Sequence, residues 1–438
     1  MLNFLRKHIG YNSLVRRGWH LLKGFLAALK YGFPARKLQV IGVTGTNGKT
    51  TVVHMTEHIL RHQGKRVAMI STVHWMKNGI MMHDFSKKRV MSPFGVQKFL
   101  KRCVKDKIDY VVLEASSHAL HQSRFWGVPF KVGVLTNITQ DHLDYHGSLV
   151  QYAKAKKILF EEVVKVTQKK KPGSSAVFCE PTLVINAGTR FFKDFTKFKG
   201  PQKIVYGIEQ GDLQAKHLQR KKNNMQFCMR YKRKQSEVYL PLLGEFNVEN
   251  ALAATGAMLA CGLALEKVKE SLNHFKGVPG RMERIHSPNG FDVLVDFAIT
   301  PDALDRLYPT IRKRYEGRII GVVGSCGDRD RKKRPAMGRV VAEHTDITVV
   351  TNEEPYSEDP LKIMQSILEG AQKLKVLNED LFLIEDRYKA IEFACKQAKK
   401  GDVVVVTGMG SLKKRHLNKG AIAWDEREVV VEILSKLQ

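Results

Sequence analysis

The chain has 438 residues, enough for two or three domains, and its 43% hydrophobic content is ample for globular cores. A formal net charge of +30 leaves nucleic acid, an anionic membrane surface or a polyanionic substrate open as partners, beside a merely lysine-rich solvated surface. Cys103, Cys179, Cys228, Cys261, Cys326 and Cys395 include no CxxC pair, which argues against a disulfide framework or a zinc site and fits a reducing cytoplasm, and no apolar run is long enough to span a bilayer.

Residues 1–38 hold eight Lys or Arg and no acidic residue. Leu14, Val15, Trp19, Leu22, Phe25, Leu26 and Leu29 recur at helical spacing, with Arg16, Arg17, Lys23 and Lys30 between them. This predicts a basic amphipathic helix, which either lies on an anionic membrane surface or packs its apolar stripe on the following domain. Charge breaks the stripe and no cleavage signature follows, which argues against a signal peptide. Phe33-Pro34 ends the helix.

Next comes VIGVTGTNGKTTV, Val40 to Val52. Leu38 to Val43 reads as a buried strand, a turn rich in Gly and Thr follows, and a helical pattern starts after Lys49. Strand, glycine loop and helix start make a phosphate cradle, because loop and helix N–H groups face the anion and the helix dipole favours negative charge. Lys49 would reach the terminal phosphates and the Thr50 hydroxyl would sit on Mg²⁺. The strict P-loop spacing wants a glycine where this chain has Val43; its glycines are Gly42, Gly45 and Gly48.

Residues 39 to about 278 alternate strands and helices, the pattern of a mostly parallel sheet covered on both faces. Strands are expected at Arg66 to Ser71, Tyr110 to Leu113 and Val132 to Thr136, and helices at Val96 to Val104, Leu149 to Val164, Asn247 to Leu263 and Leu265 to Phe275. Short β runs from Ala176 to Leu242 suggest a subsidiary sheet. Basic clusters at Lys169 to Lys171, Arg220 to Lys222 and Arg230 to Lys234 are not interleaved with aromatics as a single-strand-binding platform would be. After the linker Gly277-Val278-Pro279-Gly280 a second α/β unit follows, with strands at Val293 to Asp296, Ile319 to Val323, Ile347 to Val350 and Val403 to Val406. The fold class expected is α/β: a central P-loop-type parallel-sheet ATPase domain, then a Rossmann-like C-terminal α/β domain. The boundaries are an arm over 1–38, an ATP-binding domain over 39–278 and a C-terminal domain over 279–438.

Ligands of open α/β sheets bind beyond the carboxyl ends of the strands. Glu114 ends one strand, and Asp141 and His142 follow another, so Glu114 and His142 are placed to reach the crevice of the phosphate loop. A hard oxygen ligand with an imidazole suits Mg²⁺ or Mn²⁺ beside a triphosphate.

Nine stretches, in order, then carry a resemblance. They are TGTNGKTT at Thr44 to Thr51, LEASSHALHQSR at Leu113 to Arg124, TNITQDHLDYHG at Thr136 to Gly147, YAKAKKILF at Tyr152 to Phe160, GEFNVENALAA at Gly244 to Ala254, GVPGRME at Gly277 to Glu283, VDFAITPDAL at Val295 to Leu304, GDRDRKKRPAMG at Gly327 to Gly338 and EDP at Glu358 to Pro360. The chain resembles the Mur ligases, the ATP-dependent amide-forming family of peptidoglycan synthesis, and within it the MurE type. The resemblance implies that ATP phosphorylates a substrate carboxylate, that an amino acid amine attacks the acyl phosphate, and that phosphate leaves. It implies that Thr44, Gly45, Thr46, Asn47, Gly48, Lys49, Thr50 and Thr51 cradle the nucleotide, joined by Asn247, Asn250, Arg281 and Asp296. Thr50 and Glu114 would hold one Mg²⁺, and His142 a second together with carbamylated Lys156; read without the family, Lys156 is a solvated helix lysine. Ser92, Ser116, Gln122 and Arg124 match positions that hold a muramoyl peptide, and Arg329 a contact to the incoming amino acid.

Departures from the family pattern carry their own expectations. Only about 38 residues precede the phosphate loop, too few for the family's uridine-binding domain, so a lipid-linked acceptor enters as an alternative, and folyl-glutamate as another. Tyr356 stands where diaminopimelate-adding relatives show an arginine, and a tyrosine offers no bidentate charge pairing. The amino acid is therefore open, with lysine or another diamine among the candidates. Ile299 replaces the usual histidine, and Gly408-Met409-Gly410-Ser411 the acidic GKGHE loop; a degenerate ligase kept as a scaffold is set against intact Lys49, Glu114, His142 and Lys156. The chain is expected to be a cytoplasmic monomer, peripheral to an anionic membrane through residues 1–38, with no nucleic-acid partner.

Overall fold

A computed structural model describes residues 13–82, 91–168, 179–221 and 224–437. The first twelve residues of the arm, the basic cluster Lys169 to Lys171 and Lys222 lie outside the described residues. The chain divides into two compact units, one of residues 1–139 and 145–276, the other of 140–144 and 277–438.

Short apolar runs bounded by loops become buried strands, and amphipathic stretches become the helices that cover them. In the first unit the strands are β1 (Gln39–Thr44), β2 (Val67–Ile70), β3 (Trp75–Lys77), β4 (Ile80–Met81), β5 (Tyr110–Glu114), β6 (Phe130–Leu135), β7 (Thr182–Asn186), β8 (Gln202–Ile208), β9 (Leu213–Arg220), β10 (Met225–Tyr231) and β11 (Lys234–Leu240). They form one sheet in the order β11-β10-β9-β8-β7-β6-β1-β5-β2-β3-β4. Pairing is parallel from β9 through to β2 and antiparallel toward both ends. The β runs expected to build a subsidiary sheet therefore extend the main one: β7 pairs in parallel with β6, and each later strand adds to the same edge. The reason is that β6 presents an open backbone edge, and continuing it satisfies more N–H and C=O groups than a separate small sheet would.

One cysteine pair also departs from expectation. Cys179 and Cys261, 82 positions apart, are joined as a disulfide. Sequence spacing could not show this, because the two meet only where the entry to β7 lies against the end of the helix Glu245–Ala260, with Glu180 N donating to Ala260 O at 2.9 Å.

The N-terminal helix forms over Leu14–Tyr31, and Gly32 in the left-handed region closes it, one residue ahead of the expected Phe33-Pro34 stop. Its packing reverses the expected alternative of an apolar stripe turned inward. Gly24, Ala27 and Ala28 are the buried residues, while Leu14, Trp19, Leu22 and Leu29 are exposed. Small residues let the backbone approach Ser123 and Trp126, where a Cβ on Gly24 would stand 2.6 Å from the Ser123 carbonyl oxygen.

In the second unit the strands are β12 (Glu283–His286), β13 (Asp292–Asp296), β14 (Ile319–Val323), β15 (Ile347–Val350), β16 (Leu381–Leu383), β17 (Val403–Thr407) and the hairpin β18 (Lys414–Leu417) with β19 (Gly420–Ala423). The sheet order is β12-β13-β17-β14-β15-β16, parallel apart from β12 at one edge. Strands β13, β14, β15 and β17 match the expected ones, and helices follow the first three. The short strands β12 and β16 had no expectation, because three or four residues carry too little periodicity to read.

Candidate active site

Register places the first unit's chemistry at one sheet edge. β1 lies between β5 and β6, with Val43 opposite Glu114 and Thr44 opposite Leu135. The turn after β1, the end of β5 and the loop after β6 therefore open side by side, at the strands' carboxyl ends.

The turn is held by its neighbours. Thr46 N donates to Asn137 O and Asn47 N to Asn137 Oδ1, both at 2.9 Å, while the Thr136 hydroxyl donates to Asn47 O at 2.6 Å. The Tyr152 hydroxyl reaches Thr46 Oγ1 at 3.2 Å. Gly48 has φ +82°, and a Cβ there would stand 2.2 Å from Asn250 Oδ1, so only glycine fits. Asn250 is thus brought against the loop, and its Nδ2 donates to Asn247 Oδ1 at 3.2 Å. The helix Lys49–His62 begins at Gly48 with no side-chain cap. A helix start that follows a glycine turn directs its dipole and N–H groups toward the turn, the arrangement that suits a phosphate. Lys49 Nζ donates to Thr46 O at 2.7 Å, arched over the turn, and Thr44, Thr50 and Thr51 are buried.

Beside the cradle, the Thr50 hydroxyl donates to Glu114 Oε2 at 3.0 Å, and Thr72 N donates to the same oxygen at 2.9 Å. A hydroxyl and a carboxylate buried together at the start of an anion-binding helix are hard oxygen donors, and this donor set fits Mg²⁺. Among the described residues no group of three or more His, Cys, Asp or Glu could hold a metal ion. The oxygens of Thr50 and Glu114 would therefore need phosphate oxygens to complete a shell, which is how Mg²⁺ sits beside a triphosphate.

Lys156 is no solvated lysine. It is 1% exposed, its Nζ donates to Gly45 O at 2.6 Å, and it lies over the Tyr152 ring at 4.1 Å. His142 is not brought into the same compact unit as Glu114 and Lys156, because residues 140–144 belong to the second unit. There its φ is +53°, and its Nε2 lies 3.3 Å from Asp141 Oδ2.

The residues matched to acceptor binding divide. Gln122 and Arg124 touch, with Arg124 Nε donating to Gln122 Oε1 at 3.1 Å, and Gln122 Nε2 reaches the Tyr145 hydroxyl at 3.1 Å. Burial lowers the Arg124 pKa, against the pull of Tyr145. Ser116 and Ser92 each cap a helix, accepting from Ala119 N at 3.2 Å and Gly95 N at 3.0 Å.

In the second unit Asp296 ends β13 and accepts from Met282 N at 2.7 Å. Burial raises its pKa, and the charge of Arg281 works against that rise. Arg281 lies over the Phe297 ring at 4.4 Å. Arg329 lies 5.7 Å from the Tyr356 ring, which stacks on His416 at 5.0 Å. Nearby the Cys326 thiol donates to Glu353 Oε1 at 2.9 Å, and burial raises the pKa of both groups. Arg415, its pKa lowered to about 10 by burial, donates to the carbonyls of Glu353 and Asn352.

Sequence reasoning passed over Asn137, Tyr145, Tyr152 and Thr72. The first three lie inside quoted motifs, Asn137 just after β6, Tyr145 in the short helix Leu143–His146 and Tyr152 on the Lys156 helix, so the motifs held the signal. Thr72 follows a four-residue strand and carried none.

Comparison with known proteins bears on this geometry. The Mur ligase middle domain matches residues 43–258, and the Mur ligase glutamate ligase domain matches residues 280–410. A Clostridium acetobutylicum protein named UDP-N-acetylmuramoyl-L-alanyl-D-glutamate–2,6-diaminopimelate ligase 1 is 37% identical over 93% of this chain and 80% of its own length. A diaminopimelate ligase of the same description from a Nostoc species is also 37% identical, over 92% of this chain and 78% of its own. A solved ligase of that description superposes with a TM-score of 0.60 at 29% identity, covering 91% of this chain and 79% of its own. The Mycobacterium tuberculosis folylpolyglutamate synthase superposes at 0.72 with 19% identity, over 89% and 92% of the two chains, a likeness of fold alone. With both domains matched in order and relatives 37% identical over more than nine-tenths of its length, the chain belongs to the Mur ligase family of ATP-dependent amino acid ligases.

Proposed function

We propose that this chain joins an amino acid to a UDP-N-acetylmuramoyl peptide in peptidoglycan synthesis, through an acyl-phosphate intermediate. The observation that carries the reading is the buried pair Thr50–Glu114, 3.0 Å apart beside the Gly48 turn. A bare carboxylate resists amine attack because oxide leaves poorly; phosphorylation creates a leaving group, and the enzyme's work is to position and to neutralise charge.

Residues 39–278 act as the ATP-binding domain and 279–438 as the C-terminal ligase domain. The turn Thr44 to Thr51 and Lys49 take the phosphates, with Asn247 and Asn250 beside the nucleotide and Arg281 and Asp296 contributed by the C-terminal domain. Mg²⁺, when bound at Thr50 and Glu114, offsets charge on the transferring phosphoryl group. His142 and a carbamylated Lys156 serve a second cation. Carbamylation would turn the buried ammonium into a carboxylate-like ligand, and the enclosure of Lys156 supports this by removing the bulk water that would favour a plain ammonium. Ser92, Ser116, Gln122 and Arg124 hold the acceptor, and Arg329 meets the incoming amino acid, with lysine or another diamine as candidates. The enzyme works in the cytoplasm as a monomer, with a peripheral contact to anionic membrane through residues 1–38.

A phosphate-release assay over a matrix of muramoyl-peptide acceptors and amino acids tests this. One pairing should release phosphate well above background. ATP binding without release in any pairing overturns the ligase reading.

A further inference from the structure

The helix Leu14–Tyr31 is packed with its large apolar side chains outward. Leu14, Val15, Trp19, Leu22, Leu26 and Leu29 are between 44% and 83% exposed. At about 100° per residue they fall within about 140° of arc. Arg16, Lys23 and Lys30, seven positions apart, form a basic row along one border of that arc. The opposite side, Gly24, Ala27 and Ala28, is buried. A helix that merely covers its domain turns its large apolar residues inward; this one sets its small residues on the domain and, Phe25 apart, leaves the large ones exposed.

The charge selects the occupant. No acidic side chain occurs in residues 1–38. A second copy placed face to face would bring together two arms of eight Lys or Arg each, with no acidic residue on either to offset them. An anionic lipid surface meets both features: acyl chains take the apolar arc and headgroups take the basic rim. No helix among the described residues is long and apolar enough to cross a membrane, so the contact lies in the interface.

The buried side of the helix rests on a meaningful segment. On that side Gly24 sits against Ser123, and at the border of the apolar arc the partly exposed Phe25 ring packs edge-on against Trp126 at 5.2 Å. His20 is close enough to Arg124 and His121 to feel their charges, beside its own burial and those of Arg16 and Lys23. Gln122 and Arg124, on either side of Ser123, are among the residues proposed above to hold the acceptor.

We infer that the outward face of Leu14–Tyr31 docks on an anionic lipid bilayer and holds the acceptor-binding segment Gln122–Arg124 at that surface. The first half gives the peripheral membrane contact proposed above its helix face and its lipid charge; the second half rests on the proposed ligase function.

The test is flotation of the full-length chain with phosphatidylglycerol–phosphatidylcholine vesicles, without ATP or acceptor. The wild type should float with these vesicles and bind pure phosphatidylcholine at least tenfold less. The triple change Leu14→Gln, Leu22→Gln, Leu29→Gln should lower binding at least tenfold at an unchanged melting temperature, since the three side chains lie outside the core. Arg16→Gln, Lys23→Gln, Lys30→Gln together should remove the preference for phosphatidylglycerol. Wild type that stays with the protein fraction, or a leucine triple variant that floats like wild type, overturns the inference. So does wild type that sediments as a dimer without binding vesicles, or a chain that binds only once residues 1–12 are deleted. Because flotation needs no turnover, its failure leaves the ligase reading standing, and a chain that floats but releases no phosphate fails only the latter.

Discussion

Lys156 Nζ donates a hydrogen bond to the carbonyl of Gly45 at 2.6 Å, from a side chain shut away from solvent. The helix Leu149–Gln168 thereby places its one fully buried amine on the first residue of the phosphate turn. Replacing it with alanine should lower turnover on the order of 100-fold while ATP still binds. Added short carboxylates should partly restore the rate, because they would stand in for a carbamate. Unimpaired turnover of Lys156→Ala without additive refutes the carbamate role; steady-state phosphate release reads both.

Glu114 accepts from Thr50 and from Thr72 N on the same oxygen. Glu114→Gln keeps an acceptor there but removes the charge that a hard cation needs. We expect kcat to fall on the order of 100-fold, about 3 kcal/mol, with a higher Mg²⁺ requirement in a magnesium titration.

Gly48 combines φ +82° with no room for a Cβ beside Asn250. Gly48→Ala should cost about 1–2 kcal/mol of stability from the left-handed backbone alone. It should also weaken ATP binding by about tenfold or more, equal to about 1.4 kcal/mol, in a calorimetric titration. Removing the Asn250 side chain as well should relieve the clash but leave the backbone penalty.

Lys49 arches over the turn to Thr46 O at 2.7 Å. Lys49→Ala should abolish turnover, read as phosphate release at background level, because no other side chain on the turn brings a positive charge to the terminal phosphates.

Stability should fall on the acid side through Asp402. Burial opposes its ionisation, yet the backbone N–H groups of Lys399 and Arg318 and the Arg318 guanidinium outweigh it and hold the pKa below the usual carboxylate range. A depressed carboxyl stabilises the fold fully above its unfolded pKa, about 3.9, and loses that contribution as pH falls through the lower folded value. Asp402→Asn should therefore cost about 2 kcal/mol at pH 7 and clearly less at low pH, in urea melts at the two conditions.

Much of the site was legible because it is local. Thr44 to Thr51 runs from the end of a strand through one turn into the start of a helix, so its residues are neighbours in the chain as well as in space. A strand end also put Glu114 at the same crevice, whereas its partnership with Thr50 came only as what the family resemblance implies, because the sequence does not say that β5 borders β1. What Lys156 does was not readable: whether a helical lysine faces solvent or a glycine carbonyl depends on which side of its helix the sheet covers.

By itself, the order of strands, helices and glycine turn determined two α/β units and a phosphate cradle, because hydrophobic period and turn chemistry are properties of consecutive residues. Only the tertiary structure decided that the C-terminal strands of the first unit prolong its main sheet, that Cys179 meets Cys261, and that the N-terminal helix buries alanine and glycine rather than leucine. Those outcomes turn on which surfaces are left open once the sheet has formed, and close approach of a helix to Ser123 and Trp126 admits small residues alone.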